Sequence, residues 1–252
     1  MLISIIIPAF NEENLLSQTI ERINFALDAN KGEELSWEII VCDNNSTDKS
    51  AEIASELGAR VVFEPTNHIS RARNTAARMA QGEWFLFIDA DSFPTPELIA
   101  EMLSVIDSGN YIGCGTTVLV EGGTLFNKLR MERLNPFFRL LNISGGVFLL
   151  CRRDAFQSIR GFSTSLYAFE EFDFIFRLKK YGRSQGKKFT IIHRHPVITS
   201  GRKADYNIFS LGSLYVSNFL AIILFILYYL LPKALTAWLS SKLLGYWYKS
   251  RQ

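Results

Sequence analysis

Apolar and polar positions along the first 110 residues follow two alternating periods. Short runs rich in β-branched and aromatic residues, Leu2–Ile7, Glu38–Cys42, Arg60–Phe63 and Trp84–Ile88, are each followed by a helical pattern, at Leu15–Leu27, Ser50–Leu57, Ser70–Ala80 and Glu97–Ile106. Four strand and helix units in series predict an α/β fold, a mostly parallel sheet with right-handed crossovers and helices on both faces. From Tyr111 the pattern is mixed: a turn at Gly122-Gly123, a helix from Leu125 to Leu141, a strand around Val147–Cys151, and a helix from Glu170 to Tyr181 closed by Gly182 as a C-cap glycine.

The end of the chain differs in kind. Tyr206 to Pro232 contains no charged residue. As a helix, Ile208–Leu231 spans about 36 Å, enough to cross a hydrocarbon core. Tyr228, Tyr229, Trp238, Tyr246, Trp247 and Tyr248 suit interfacial anchors. Leu235, Trp238, Leu239, Leu243 and Tyr246 share one helical face, as an in-plane amphipathic helix requires. A spanning helix, a hairpin that dips and returns, and a buried helix of an oligomer all satisfy this pattern.

Composition adds little until the charge is divided. The formal net charge is +2, but residues 206–252 hold Lys233, Lys242, Lys249 and Arg251 with no acid, so the preceding 205 residues carry −2. A nucleic-acid binder would place its basic surface on the folded domain; a basic tail suits anionic lipid. Cys42, Cys114 and Cys151 are odd in number, far apart and set in apolar runs, which indicates core thiols in a reducing compartment, neither a disulfide framework nor a zinc site. The chain opens on strand-like residues with no basic leader, so a secretory signal is not expected.

Candidate chemistry lies at the strand ends, where ligands bind in open α/β sheets. Pro8-Ala-Phe-Asn-Glu-Glu13, Asp43-Asn-Asn-Ser-Thr-Asp48 and Asp89-Ala-Asp91 follow three separate strands and converge on one edge. Asp89 and Asp91 are the most informative pair. Two like charges about 5 Å apart repel by several kcal/mol at an effective dielectric of ~20. A hard divalent cation, Mg²⁺ or Mn²⁺, bound by one or two carboxylates and a substrate's phosphates, answers that repulsion. The simpler alternative is a solvated loop in which Asp91 or Ser92 caps the helix after Pro94. No GxGxxG follows the first strand, which argues against a dinucleotide cofactor.

Taken in order, Ile5-Ile-Ile-Pro-Ala-Phe-Asn-Glu-Glu13, Val41-Cys-Asp-Asn-Asn-Ser-Thr-Asp48, Arg71-Ala-Arg-Asn74, Gly82-Glu-Trp-Phe-Leu-Phe-Ile-Asp-Ala-Asp91, Gly145-Gly146 before Arg152-Arg153, and Glu170-Glu-Phe-Asp173 ahead of Phe176-Arg177 resemble the family 2 glycosyltransferases of the GT-A, Rossmann-like fold. The resemblance implies a catalytic domain over residues 1–205, with a nucleotide-sugar half (1–110) and an acceptor half (111–205), followed by a membrane-associated tail (206–252). It implies that Pro8, Ala9, Phe10 and Glu12, with Asp43, hold the base and ribose of a UDP- or GDP-linked sugar, and that Arg73 lies near the nucleotide. Asp89-Ala90-Asp91 then matches the family's metal motif, with Asp91 the direct ligand and Asp89 on ribose or a metal-bound water.

The resemblance also implies that on the acceptor side an acidic residue receives the proton of the attacking hydroxyl in an inverting displacement. The usual pattern there is Glu-Asp, whereas this chain has Glu170-Glu171; Glu171 is the first candidate base and Glu170 the second. Both glutamates, and Glu12, have simpler readings as residues that favour helix N-termini. Asp43 equally suits a turn before Asn44-Asn45, and Asp173 a pair with Arg177 at i,i+4. Arg202 and Lys203 can clamp a diphosphate from a closing loop or face lipid phosphates, and His195 can complete the metal shell.

The expected activity is metal-dependent, inverting transfer from a nucleotide-diphosphate sugar to a lipid-linked or glycan acceptor, with the catalytic domain cytoplasmic at a membrane. A polyprenyl-phosphate acceptor, already an anion, would need no general base. The competing classes are a non-catalytic nucleotide-sugar-binding membrane subunit and a nucleotidyltransferase. The last wants a glycine-rich basic phosphate loop after the first strand, and Pro8–Glu13 is not one.

Overall fold

The computed structural model describes residues 1–32, 34–122, 132, 134–136, 138–166 and 170–201. The four predicted strand and helix units are present: β1 (Leu2–Ala9), α1 (Leu16–Asp28), β2 (Ser36–Asp43), α2 (Ser50–Glu56), β3 (Arg60–Phe63), α3 (Ile69–Met79), β4 (Trp84–Ile88) and, after the short β5 (Ser92–Phe93), α4 (Pro96–Asp107). There follow β6 (Tyr111–Glu121), β7 (Phe148–Arg152), α5 (Arg153–Ser158), α6 (Glu170–Ser184) and β8 (Lys188–Ser200). One sheet contains all eight strands of the described residues, in the order β3-β2-β1-β4-β7-β6-β8-β5.

Both faces of this sheet are covered, and the two sets of core residues come from the alternation within single strands. On β1, Ile3, Ile5 and Ile7 pack with Leu16, Ile20, Ile23 and Leu27 of α1 and with Leu98 and Met102 of α4. Ile6 of β1 points the other way and shares a cluster with Ala72 and Ala76 of α3 and with Phe174 and Leu178 of α6. Strand β4 is buried at every position, as an apolar run in the middle of a doubly covered sheet requires. Its second face meets a knot of rings: Phe87 lies 5.0 Å from Phe162, which stacks on Phe174 at 4.2 Å. That knot ties α6 to β4.

Strand direction decides what meets at the edge. β1, β2, β3 and β4 are mutually parallel, so Ala9, Asp43 and Ile88 end on the same side, with Ala9 directly opposite Asp43. β7 runs antiparallel to β4 and places Phe148 opposite Ile88. The Gly145-Gly146 segment that leads into β7 therefore arrives at the tip of β4. β8 pairs with β5 through Thr199 and Ser92, and the Ser200 N–H donates to the Asp91 carbonyl at 3.0 Å.

Several local expectations are corrected. Gly182 does not close α6 but lies within it; a Cβ there would come 2.8 Å from Ile112 of β6, so close packing excludes a side chain. The helix ends at Ser184, and Gly186 takes the left-handed turn with φ of 66°. The helix after Pro94 is capped by Thr95, whose hydroxyl accepts from the Leu98 N–H at 3.3 Å with Pro96 at the first turn, and not by Asp91 or Ser92, which pairing with β8 engages instead. The strand expected at Val147–Cys151 is Phe148–Arg152. Of the helix expected over Leu125–Leu141, the described residues from 132 on are helical and the rest lies outside the described residues. Residues 195–200, which precede Arg202 and Lys203, are the end of strand β8. Among the described residues no helix is long and apolar enough to cross a membrane, and the tail lies outside them.

Candidate active site

The first two strand-end loops are built as one unit. Asn11, in the left-handed region at φ 53°, receives the Thr47 N–H on Oδ1 at 2.8 Å and gives its own N–H to Ser46 Oγ. The Glu12 N–H donates to Ser50 Oγ at 2.8 Å, and the Glu13 N–H to Asp48 at 3.0 Å. Partial burial would raise the Asp48 carboxyl, but hydrogen bonds from Ser50 and from the Glu13 and Ser50 amides hold it below its ordinary value. Asn44 extends the staple to the third loop: its amide donates to the Glu64 and Thr66 carbonyls, and its oxygen accepts the His68 N–H. His68 in turn caps α3, its Nδ1 accepting the Ser70 N–H; burial and Arg71 lower its pKa and favour the neutral acceptor form. Sequence reading singled out neither Asn11, Asn44 nor His68. The Asn residues carried a usable signal, since Asn tolerates left-handed backbone and bonds locally.

Within this frame Ala9 and Glu12 are buried, while Pro8 and Phe10 are half-buried at the rim. Asp43 makes the expected turn, its Oδ1 accepting the Ser46 N–H at 2.9 Å. Ala90 is buried and its carbonyl accepts the Thr19 hydroxyl at 2.7 Å, which anchors the tip of β4 to α1.

The central group is Arg73, whose side chain is 0% exposed. Its Nη2 is 3.0 Å from Asp89 Oδ1, and its Nη1 is 3.0 Å from Glu171 and 3.6 Å from Glu170. The guanidinium carbon lies 5.2 Å from the centre of the Phe162 ring, beside the otherwise unpartnered Nε. Arg73, expected near the nucleotide, lies between Asp89 at the tip of β4 and Glu171 of α6. The small neighbours Ala72, Ala76 and Ala77 let α3 lie close to the sheet, which carries Arg73 into the core. Gly146 completes the enclosure: a Cβ there would collide with Arg73 Nη2 and come 2.6 Å from Glu171 Oε1.

Burial works against the charged form of Arg73, but Glu171, Asp89 and Glu170 outweigh it and its pKa lies above even the ordinary arginine value. Glu170 is pushed well above the usual carboxylate range, first by burial and then by Glu171, with Arg73 opposing. A proton on Glu170 leaves two carboxylates against one guanidinium. Because the folded pKa of Glu170 exceeds its unfolded value of 4.5, this residue favours folding at low pH, and the benefit is lost as pH rises from 4.5 through the folded pKa. Glu170→Gln removes that titration. Thermal unfolding of both proteins between pH 4 and pH 8 is expected to show the variant gaining on the parent as pH rises; parallel curves would refute the assignment.

Asp91 is buried, 4% exposed, with its carbonyl bound by Ser200. Asp89 keeps part of its side chain open, at 25%. His195 does not join them: its Nδ1 is 3.0 Å from Glu101 of α4. Among the described residues no three His, Cys, Asp or Glu side chains gather to hold a metal. The expected set of Asp89, Asp91 and His195 is therefore not assembled, since β8 runs past α4 at His195 and reaches β5 only at Thr199. Two aspartates do fit a hard cation that completes its shell with phosphate oxygens and water. Asp173 pairs with Arg177 as the i,i+4 spacing suggested, at 2.8 Å. Arg202 and Lys203 lie outside the described residues. The three cysteines are buried core residues, the Cys42 thiol pushed up to about 12 mainly by burial.

Several known proteins are similar to this chain. A dolichol-phosphate mannosyltransferase of Pyrococcus furiosus is 32% identical over 173 residues, 64% of this chain and 45% of that protein. An undecaprenyl-phosphate 4-deoxy-4-formamido-L-arabinose transferase of Pectobacterium atrosepticum is 31% identical over 148 residues, 54% of this chain and 43% of that protein. The chain thus spans under half the length of both relatives. Among solved structures, the mannosyltransferase PcManGT of Pyrobaculum calidifontis, in complex with GDP-Man and Mn²⁺, superposes with a TM-score of 0.59 at 18% identity, covering 79% of this chain and 56% of that one. The carboxylate-lined sheet edge falls wholly inside the segment, residues 4–203, that matches the family model described as glycosyl transferase family 2, and the chain belongs to that family.

Proposed function

We propose that this protein is a metal-dependent, inverting glycosyltransferase that moves a sugar from a nucleoside-diphosphate donor to a lipid-linked or glycan acceptor at the cytoplasmic face of a membrane. The observation that carries the reading is that one buried guanidinium joins Asp89 at the donor edge to Glu171 and Glu170 on the acceptor-side helix. Donor and acceptor groups are thereby held in fixed relation. The names of the two relatives, and the donor and cation bound by PcManGT, support the same reaction class.

In this reading Asp43 and Glu12, with the rim of Pro8, Ala9 and Phe10, hold the base and ribose. Asp91 and Asp89 are the residues that would hold Mn²⁺ or Mg²⁺. A cation there supplies Lewis-acid stabilisation of charge on the leaving phosphate. Glu171 accepts the proton of the acceptor hydroxyl as its oxygen bonds to the anomeric carbon and the bond from that carbon to the phosphate oxygen breaks, the electron pair leaving with the nucleoside diphosphate. Arg73 positions both carboxylates. Arg202, two residues beyond Ser200, clamps the diphosphate. The uncharged 206–232 segment places the domain at the membrane.

The test is a panel of nucleotide sugars with and without Mn²⁺ or Mg²⁺. Metal-dependent turnover of at least one donor is expected, and failure to bind or hydrolyse any of them refutes the proposal. A second reading, with a polyprenyl phosphate as acceptor, is favoured by the names of both relatives. Its phosphate oxygen attacks without losing a proton. Glu171→Gln is thus expected to lower transfer to a hydroxyl by about 10²–10⁴-fold while leaving donor binding intact; near-normal turnover of this variant would assign the acceptor to the phosphate class.

A further inference from the structure

The outer face of α6 carries a surface that the catalytic reading does not use. Phe172, Phe176, Lys179, Lys180 and Arg183 project from one side of this helix by their spacing. The segment 138–142 lies alongside: Phe138 is 6.2 Å from the Phe172 ring, and the Lys179 ammonium donates to the Leu141 carbonyl at 3.1 Å and to Asn142 at 3.3 Å. Leu140 is 82% exposed, Leu141 44% and Phe176 53%. Large apolar side chains grouped in this way, with a charged rim, mark a contact surface.

The rim is mainly basic. Residues 174–201 contain Arg177, Lys179, Lys180, Arg183, Lys187, Lys188 and Arg194 and no Asp or Glu. The acids at the start of α6 are already engaged, Glu170 and Glu171 by Arg73 and Asp173 by Arg177. The neighbouring segment holds the exposed Glu132 and Arg139. Burial first, and then the Arg183 charge, lower the Lys179 pKa. Exposed apolar side chains ringed by cations complement acyl chains beneath anionic headgroups.

We infer that the face made by α6 and residues 138–142 docks on an anionic lipid surface. This rests on the membrane placement proposed above and adds to it that the folded domain, and not only the tail, meets the lipid. Phe172 follows Glu171 directly, so the docked face borders the acceptor-side carboxylates. An acceptor held in the lipid plane enters beside Glu171 without leaving that plane.

The test uses the full chain with an environment-sensitive fluorophore on Leu140→Cys or Phe176→Cys. The three native thiols are buried, so label goes to the new site. Phe25→Cys is the control, exposed on α1, which packs on the opposite face of the sheet. With phosphatidylglycerol vesicles, labels at 140 and 176 are expected to shift to the blue and to be quenched by acyl-brominated lipid, while the label at 25 stays unchanged. Phosphatidylcholine vesicles should give no shift, and Lys180→Glu with Arg183→Glu should abolish it. Silent labels at both sites, which would leave the face to a protein partner, overturn the inference; so does an equal response at position 25 or with neutral vesicles. Donor turnover on the same samples separates the two proposals. Turnover with silent labels retires only the docking face, and responding labels without turnover retire the enzymatic reading.

Discussion

Asp91→Asn is expected to lower kcat/KM for sugar transfer by about 10²–10³-fold, the scale of losing one well-placed electrostatic contact to developing charge. Asparagine keeps the size of the side chain, and the Ser200 contact is made to the Asp91 backbone carbonyl, so the end of β8 should remain in place. What changes is the charge available to a cation shared with the diphosphate. Two measurements separate this from misfolding. Thermal unfolding should stay within a few degrees of the parent, and the stabilisation by nucleoside diphosphate that depends on Mn²⁺ should vanish while any metal-free component persists. Retention of both turnover and metal-dependent binding would remove Asp91 from the metal site.

Arg73→Met should have the largest effect on stability. The substitution leaves Asp89, Glu171 and Glu170 without their shared counter-charge in a buried setting, and breaking such a cluster from one side costs about 3–5 kcal/mol. The sign of the pH dependence follows from the same contacts. Without the guanidinium the carboxylates resist ionisation, so the deficit should grow as pH rises and shrink toward acid, where they are protonated. Urea unfolding at pH 5 and pH 8 measures both quantities. A deficit below about 1 kcal/mol that does not vary with pH would mean that the cluster is not held by this residue. Adding Glu171→Gln to Arg73→Met should recover part of the loss, because the pair is coupled and not additive.

Much of residues 1–110 was legible in the sequence. The strands that lead into Pro8, Asp43 and Asp89 could be read because a period of two and a period near 3.6 alternate cleanly there, and parallel strands joined by helices must present their carboxyl ends together. The i,i+4 pair of Asp173 with Arg177 and the buried cysteines were legible for the same reason, being local or purely compositional. Gly182 was misread because a glycine near a helix end has two causes, a left-handed turn and close packing, and only Ile112 on a strand 70 residues earlier distinguishes them. Residues 188–200 gave no clean alternation, since β8 is covered unevenly along its length and is interrupted in its pairing with β6 between Thr116 and Val118.

The sequence by itself determined the fold class, the edge at which polar residues collect, and the types of side chain that stand there, because periodicity and residue chemistry are properties of neighbouring positions. Only the tertiary structure decided which of those side chains meet. Arg73 joins Asp89 and Glu171 across 16 and 98 residues of chain, and His195 turns to Glu101 across 94. Contacts over such separations depend on how far α3 sinks between Ala72 and Ala76, on the antiparallel entry of β7, and on the ring knot that pins α6. Those are packing outcomes of the whole sheet, and no local stretch of the chain encodes them alone.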